Sequence, residues 1–222
     1  MNRSARAPTL ALVLWSAFVV AFAALSYASR ASEGTPDPNL LYKWATLASF
    51  LVQYGLIALI IWGIASLGRR RELFAARRPS SWGRAGVIAA AVIVAMAILT
   101  GILDPVLHPG QEQGYTPKHW ESARAAEYVA NALAIAIVAP AIEELTFRGL
   151  GFSLLRPFGE WPAIVAVGVL FGVAHGLVRA LPLLVALGIG LAYLRSRVDS
   201  VYPGMIVHAL FNGVALILAV VT

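Results

Sequence analysis

The sequence predicts an all-α, polytopic membrane helix bundle of about seven transmembrane helices. Three observations predict it. Of the 222 residues, 59% are hydrophobic and 13% charged, with a mean hydropathy of +0.77; a soluble domain carries about 25% charged residues. Apolar runs recur along the chain, most near the ~20 residues that cross a hydrocarbon core as a helix. The short alternating segments of an outer-membrane barrel are absent.

Hydropathy places spans at 9–28, 41–67, 84–103, 124–155, 161–178, 181–195 and 201–221. Arg3 and Arg6 precede the first, and "SYASRAS" follows its apolar run like a signal-peptidase site. The run is longer than an ordinary signal core and further spans follow, so it reads as an uncleaved first helix. The polar loop "SEGTPDPN" (32–39) separates it from the second span, and the basic linker "RRRELFAARRPSSWGR" (69–84) leads into the third. The Pro/Gly-rich "DPVLHPGQEQGYTPKHWE" (104–121) precedes the fourth; His108 and His119 within it are assigned no role. The fifth span starts at Trp161, the sixth is the shortest, and the seventh begins "VYPGMIV". Trp44, Trp82, Trp120 and Trp161 lie near span ends, as an aromatic belt would. Small residues in "GVIAAAVIVA" and "GVLFGVAHG" read as helix-packing faces.

The net charge of +6 sits in short segments between apolar runs, which marks topology determinants and anionic-lipid contacts rather than nucleic-acid binding. With the N-terminus inside, eleven Lys/Arg lie on the inner side (Arg3, Arg6, Arg69, Arg70, Arg71, Arg77, Arg78, Arg84, Arg156, Arg195, Arg197). Five lie outside (Arg30, Lys43, Lys118, Arg124, Arg179). The N-terminus is therefore expected in the cytoplasm. The Ala-, Val-, Gly- and Arg-rich composition suits a bacterial inner membrane. No cysteine is present, which excludes disulfides, thiolate-bound zinc and thiol nucleophiles.

"AIVAPAIEELTFRGLGF" sets Glu143, Glu144 and Arg148 inside a span, where each such residue costs roughly +3 kcal/mol on insertion scales. Glu144 lies twelve residues before Arg156, ~18 Å in from that end at a helical rise. His175 lies fourteen residues after Trp161, ~21 Å in. His208 lies eleven after Arg197, ~16 Å in. Three helices thus bring their polar residues to a similar depth. Glu144 and Arg148 are four apart, as are Phe171 and His175, and His208 and Asn212, so each pair shares a helix face. Glu143 and Glu144 point about 100° apart; Glu144 is expected to pair with Arg148 while Glu143 faces a reactive cavity. Pro140 removes a backbone hydrogen bond just before them.

In order, EExxxR (Glu143, Glu144, Arg148), FxxxH (Phe171, His175) and HxxxN (His208, Asn212) occur on successive helices. They resemble the CPBP family of intramembrane proteases, related to type II CAAX prenyl endopeptidases and myxosortases. The resemblance covers about 124–221, with "EELTFRGLGFSLLRPFGEWPAIVAVGVLFGVAHG" carrying most of it. It divides one membrane unit into variable N-terminal helices (1–123) and core helices (124–222). It implies hydrolysis of a peptide bond in a membrane-associated or lipid-anchored protein. Glu143 would act as general base on a water, His175 would hold that water, and His208 and Asn212 would serve the oxyanion. Glu144 and Arg148 would be the supporting pair.

Metal-free water activation is the expected chemistry. The alternative is zinc held by Glu143, His175 and His208, although no HExxH is present. Other classes would also bury such residues. An ion-coupled transporter would be expected to show two related halves, which this sequence lacks; a silent membrane-binding or immunity protein would be expected to lose a motif residue. The expected partners are a membrane-anchored substrate and the bilayer.

Overall fold

The computed structural model describes residues 3–32, 37–108, 112, 117 and 120–221, with the side chains of 3–7 and 221 outside the description. Lys118 and His119 of the Pro/Gly loop lie outside the described residues. Every regular element among the described residues is helical. We number them α1 (Arg3–Ser32), α2 (Trp44–Ala65), α3 (Arg70–Phe74), α4 (Trp82–Leu107), α5 (Ser122–Phe158), α6 (Glu160–Ala174), α7 (Leu181–Val198) and α8 (Tyr202–Val221).

Among the described residues six helices are long and apolar enough to cross a membrane: α1, α2, α4, α5, α7 and α8. The seventh, α6, has 15 residues, about 22 Å at a helical rise, against a hydrocarbon core of about 30 Å. It was expected to run to residue 178 and stops at Ala174. The reason is Gly176, whose φ of +65° turns the chain beside α1; a Cβ there would sit 2.7 Å from the Ser26 carbonyl carbon. Apolar side chains such as Val52, Leu59, Val87, Ile102 and Leu210 point outward. In water such a surface would be a liability; against lipid it is the proper solvent. The chain is an integral membrane protein.

α7 is the centre, packed against α4, α6 and α8. Gly168 of α6 faces Gly188 of α7 so closely that a Cβ on Gly188 would lie 2.6 Å from the Gly168 carbonyl oxygen. Backbone thus meets backbone, as small residues permit in membranes. In the third-span pattern Gly86 has open space around it, while Ile88, Ala89 and Val92 pack against the core. α4 lies at the edge and gives most of its surface to lipid.

α5 is not a uniform α-helix. Residues Ala134–Val138 and Leu145–Gly151 are π-helical, and a short α-segment, Ala139–Glu144, joins them. Pro140 in that segment lacks an N–H, so the backbone cannot keep an unbroken i→i−4 ladder through it. Side chains from other helices reach backbone oxygens in or beside these segments. Trp15 of α1, fully buried, donates Nε1–H to the Thr146 carbonyl at 3.0 Å. Asn212 of α8 donates Nδ2–H to the Ile135 carbonyl at 3.1 Å. Before α5, the carboxylate of Glu112 accepts the N–H groups of Val178, Arg179 and Ala180 at 2.7, 2.7 and 3.1 Å.

Candidate active site

The two π-segments flank Glu143 and Glu144, and α6 and α8 bring the histidines onto them. Glu144 is fully buried. Its Oε1 accepts Nη1–H of Arg148 at 2.8 Å and lies 3.2 Å from Nδ1 of His208. Its Oε2 has no hydrogen-bond partner among the described residues and stands against Gly204 in the first turn of α8, where the helix dipole favours negative charge. Arg148, also fully buried, donates Nη2–H to the Gly188 carbonyl at 3.0 Å. That carbonyl is in reach because the α6–α7 contact is made by glycines.

Phe171 is the hub of the cluster. The Arg148 guanidinium lies over its ring at 4.2 Å. The rings of His175 and His208 meet it edge-on at 4.7 and 5.4 Å. Its carbonyl holds Nδ1 of His175 at 2.7 Å. A carbonyl only accepts, so this bond assigns the His175 proton to Nδ1 and leaves the lone pair on Nε2. The same reasoning applies to His208, whose Nδ1 faces the Glu144 carboxylate. Arg30 of α1 donates Nε–H to the His175 carbonyl at 3.4 Å, tying α1 to the turn after α6.

Glu143 faces these nitrogens. Its Oε2 has no hydrogen-bond partner among the described residues and lies 3.7 Å from Nε2 of His208 and 3.9 Å from Nε2 of His175. Its Oε1 accepts the hydroxyl of Tyr54, a residue of α2 whose ring stacks on Phe50. Arg148 thus pairs with Glu144, and the Tyr54 hydroxyl meets the carboxylate of Glu143.

The structure therefore joins Glu143, Glu144, Arg148, Phe171, His175 and His208 in one cluster. Asn212 stands one turn beyond His208, with its amide donating to the Ile135 carbonyl; His208 itself contacts both glutamates. Tyr54, Trp15 and Arg30 were not singled out by sequence reasoning. Tyr54 left one trace, a hydroxyl within an apolar span, which has no meaning until α2 is known to pack on α5.

A zinc ion bound by Glu143, His175 and His208 would put adjacent donor atoms about 3.3 Å apart, from bonds of ~2.0–2.1 Å in tetrahedral array. The Glu143–His208 and Glu143–His175 pairs are wider, 3.7 and 3.9 Å, and among the described residues no such group converges on a metal-holding position. As they stand the side chains do not fit that ion.

Residues 125–214 match the family model described as "Rce1-like: Type II CAAX prenyl endopeptidase Rce1-like". No curated protein and no solved structure matches the chain. The matched stretch contains both glutamates, Arg148, Phe171, both histidines and Asn212, whereas Tyr54, Trp15 and Arg30 lie before it. The match to these core helices supports the CPBP family of CAAX proteases, which their motifs resemble.

Proposed function

We propose that the protein is an intramembrane endopeptidase that hydrolyses a peptide bond of a membrane-anchored protein or peptide, with Glu143 activating the water. One observation carries this reading: Oε2 of Glu143 is buried, unpartnered and faced by two imidazole Nε2 atoms at 3.7 and 3.9 Å. Such separations suit groups bridged through a water rather than bonded directly. Water held there gives one proton to Oε2 of Glu143, and its oxygen attacks the scissile carbonyl carbon. The C=O electron pair moves onto oxygen. Collapse of that tetrahedral species breaks the C–N bond, and Glu143 returns its proton to the leaving amine. The water's other hydrogen is accepted by Nε2 of His175, which holds it, and His208 is set beside it through Glu144. The second N–H of Asn212 is available to the oxyanion, since an amide has two and one is held by Ile135. Glu144 and Arg148 hold the π-helical turn and, through His208, the imidazole orientation.

The same reading puts the N-terminus in the cytoplasm of a bacterial inner membrane, from the Lys/Arg excess of the inner loops. The test is cleavage of membrane-anchored peptides by purified wild type and Glu143→Gln, read by mass spectrometry with and without a chelator. Wild type is expected to cleave, chelator or not, and Glu143→Gln to lose about 10²–10⁴-fold. Equal cleavage by the two proteins would sink the assignment of the base. Chelator-sensitive cleavage restored by zinc would reassign His175 and His208 as metal ligands.

A further inference from the structure

At the membrane face that carries the basic linker lies a second polar site, unrelated to the glutamate–histidine cluster. A cavity of about 400 Å³ is lined by Glu72, Leu73, Arg77, Ser153, Arg156 and Arg195. Its three arginines come from three places: the linker after α3, the end of α5 and the end of α7. Arg195 is only 3% exposed and its Nε has no hydrogen-bond partner among the described residues. One carboxylate, Asp199, serves two of the guanidiniums, binding Nη1 of Arg195 at 2.8 Å and Nη2 of Arg77 at 2.6 Å. Glu72 is engaged by Arg69 at 2.8 Å. Arg156 is exposed and brings a third cation, with no ion pair among the described residues. Three like charges around one hollow repel one another, and an oxyanion between them would relieve that cost.

We propose that this cavity binds the phosphate of an anionic phospholipid headgroup. Guanidiniums are forks that hold phosphate by paired hydrogen bonds, and the Ser153 hydroxyl supplies a further donor. The surroundings select a lipid as the source. Phe158 and Trp161, two and five residues beyond Arg156, are 68% and 58% exposed, and Trp82 opens α4 after the same linker. Exposed aromatics beside arginines mark the headgroup level, and basic pockets between transmembrane helices are where anionic headgroups seat.

The test uses full-length protein in neutral detergent, titrated with phosphatidylglycerol, phosphatidylcholine or inorganic phosphate. Bound lipid is counted by native mass spectrometry, and thermal unfolding is followed in parallel. Phosphatidylglycerol is expected to bind and raise Tm, and phosphatidylcholine to do neither. Arg156→Ala, which removes an exposed side chain, is expected to fold and to weaken phosphatidylglycerol binding about tenfold or more, as loss of a charged hydrogen bond does. Arg71→Ala, on the same basic linker but outside the cavity, should change it less than twofold. Equal weakening by both variants would reduce the effect to diffuse surface charge and overturn the site. Phosphatidylcholine binding as well as phosphatidylglycerol would overturn it too. Inorganic phosphate occupying the site so that lipid adds nothing would overturn the lipid assignment in favour of a soluble anion.

Discussion

Tyr54 donates its hydroxyl to Oε1 of Glu143, eighty-nine residues further along the chain. The bond divides the carboxylate in two: one oxygen is held by α2, and the other, unpartnered, faces the histidines. A residue from outside the family-matched segment thus decides which oxygen of the proposed base is free to take a proton.

Tyr54→Phe keeps the ring and its stacking on Phe50 and removes only the hydroxyl. A hydrogen bond to a charged group contributes about 1.5–3 kcal/mol, so kcat is expected to fall about 10- to 100-fold with KM nearly unchanged. Steady-state cleavage kinetics check this. An unchanged kcat would leave Tyr54 as a packing residue. On a Glu143→Gln background the same substitution should cost nothing further, because the two act as a unit.

Glu144 and Arg148 form a fully buried pair. Removing one partner, as in Arg148→Met, leaves an uncompensated charge and is expected to cost about 3–5 kcal/mol of stability. Replacing both, Glu144→Met with Arg148→Leu, should recover much of that stability without recovering cleavage, because His208 loses the carboxylate that fixes its ring. Unfolding in detergent and the cleavage assay separate the two effects; recovered activity in the double variant would refute the supporting role.

Gly204 gives Glu144 its space. A Cβ at that position would lie 2.6 Å from Oε2 of Glu144, 3.4 Å from its carboxyl carbon. Because Glu144 is held by Arg148 and His208, it has little freedom to withdraw. Gly204→Ala is expected to destabilise by about 1–3 kcal/mol, as overpacking does, and to reduce kcat. Wild-type stability and rate in this variant would mean that Glu144 is held less firmly than its contacts imply.

Asp199, at the end of α7, gives a pH signature. Burial alone would raise its carboxyl, but hydrogen bonds from Arg77 and Arg195 outweigh it and hold the group below its ordinary 3.8. A carboxylate lowered in the folded state stabilises above its unfolded value, and that stability is lost as pH falls through the folded value. The side chain is 47% exposed, so the contribution is about 0.2–1 kcal/mol. Asp199→Asn, which tolerates the φ of 54° found there, should therefore unfold slightly earlier than wild type at pH 7. The gap should narrow only below about pH 4. A gap independent of pH would assign it to packing.

What could be read from residue order was whatever depends on spacing. A rise of 1.5 Å per residue brings Glu144, His175 and His208 to similar depth whatever their neighbours do. An i,i+4 interval puts Glu144 beside Arg148 on an α-helix, and the two are bonded. The same arithmetic cannot foresee a π-helix, which changes the interval itself; Pro140 was its only trace. Nor could it shorten α6, where Gly176, at a φ of +65° and packed against Ser26 of α1, turns the chain.

The sequence by itself determined a membrane-embedded bundle and the helices that carry the glutamates and histidines, because hydropathy and helical rise are local properties. Only the tertiary structure decided which atoms meet: that Oε1 of Glu143 goes to Tyr54, that Oε2 faces both imidazoles, and that Asn212 turns to the Ile135 carbonyl. Those choices depend on how far apart two helices stand and how each is rotated. In this chain that is set by glycine-to-glycine approach and by the turns that π-helical backbone leaves open, neither of which a linear pattern records.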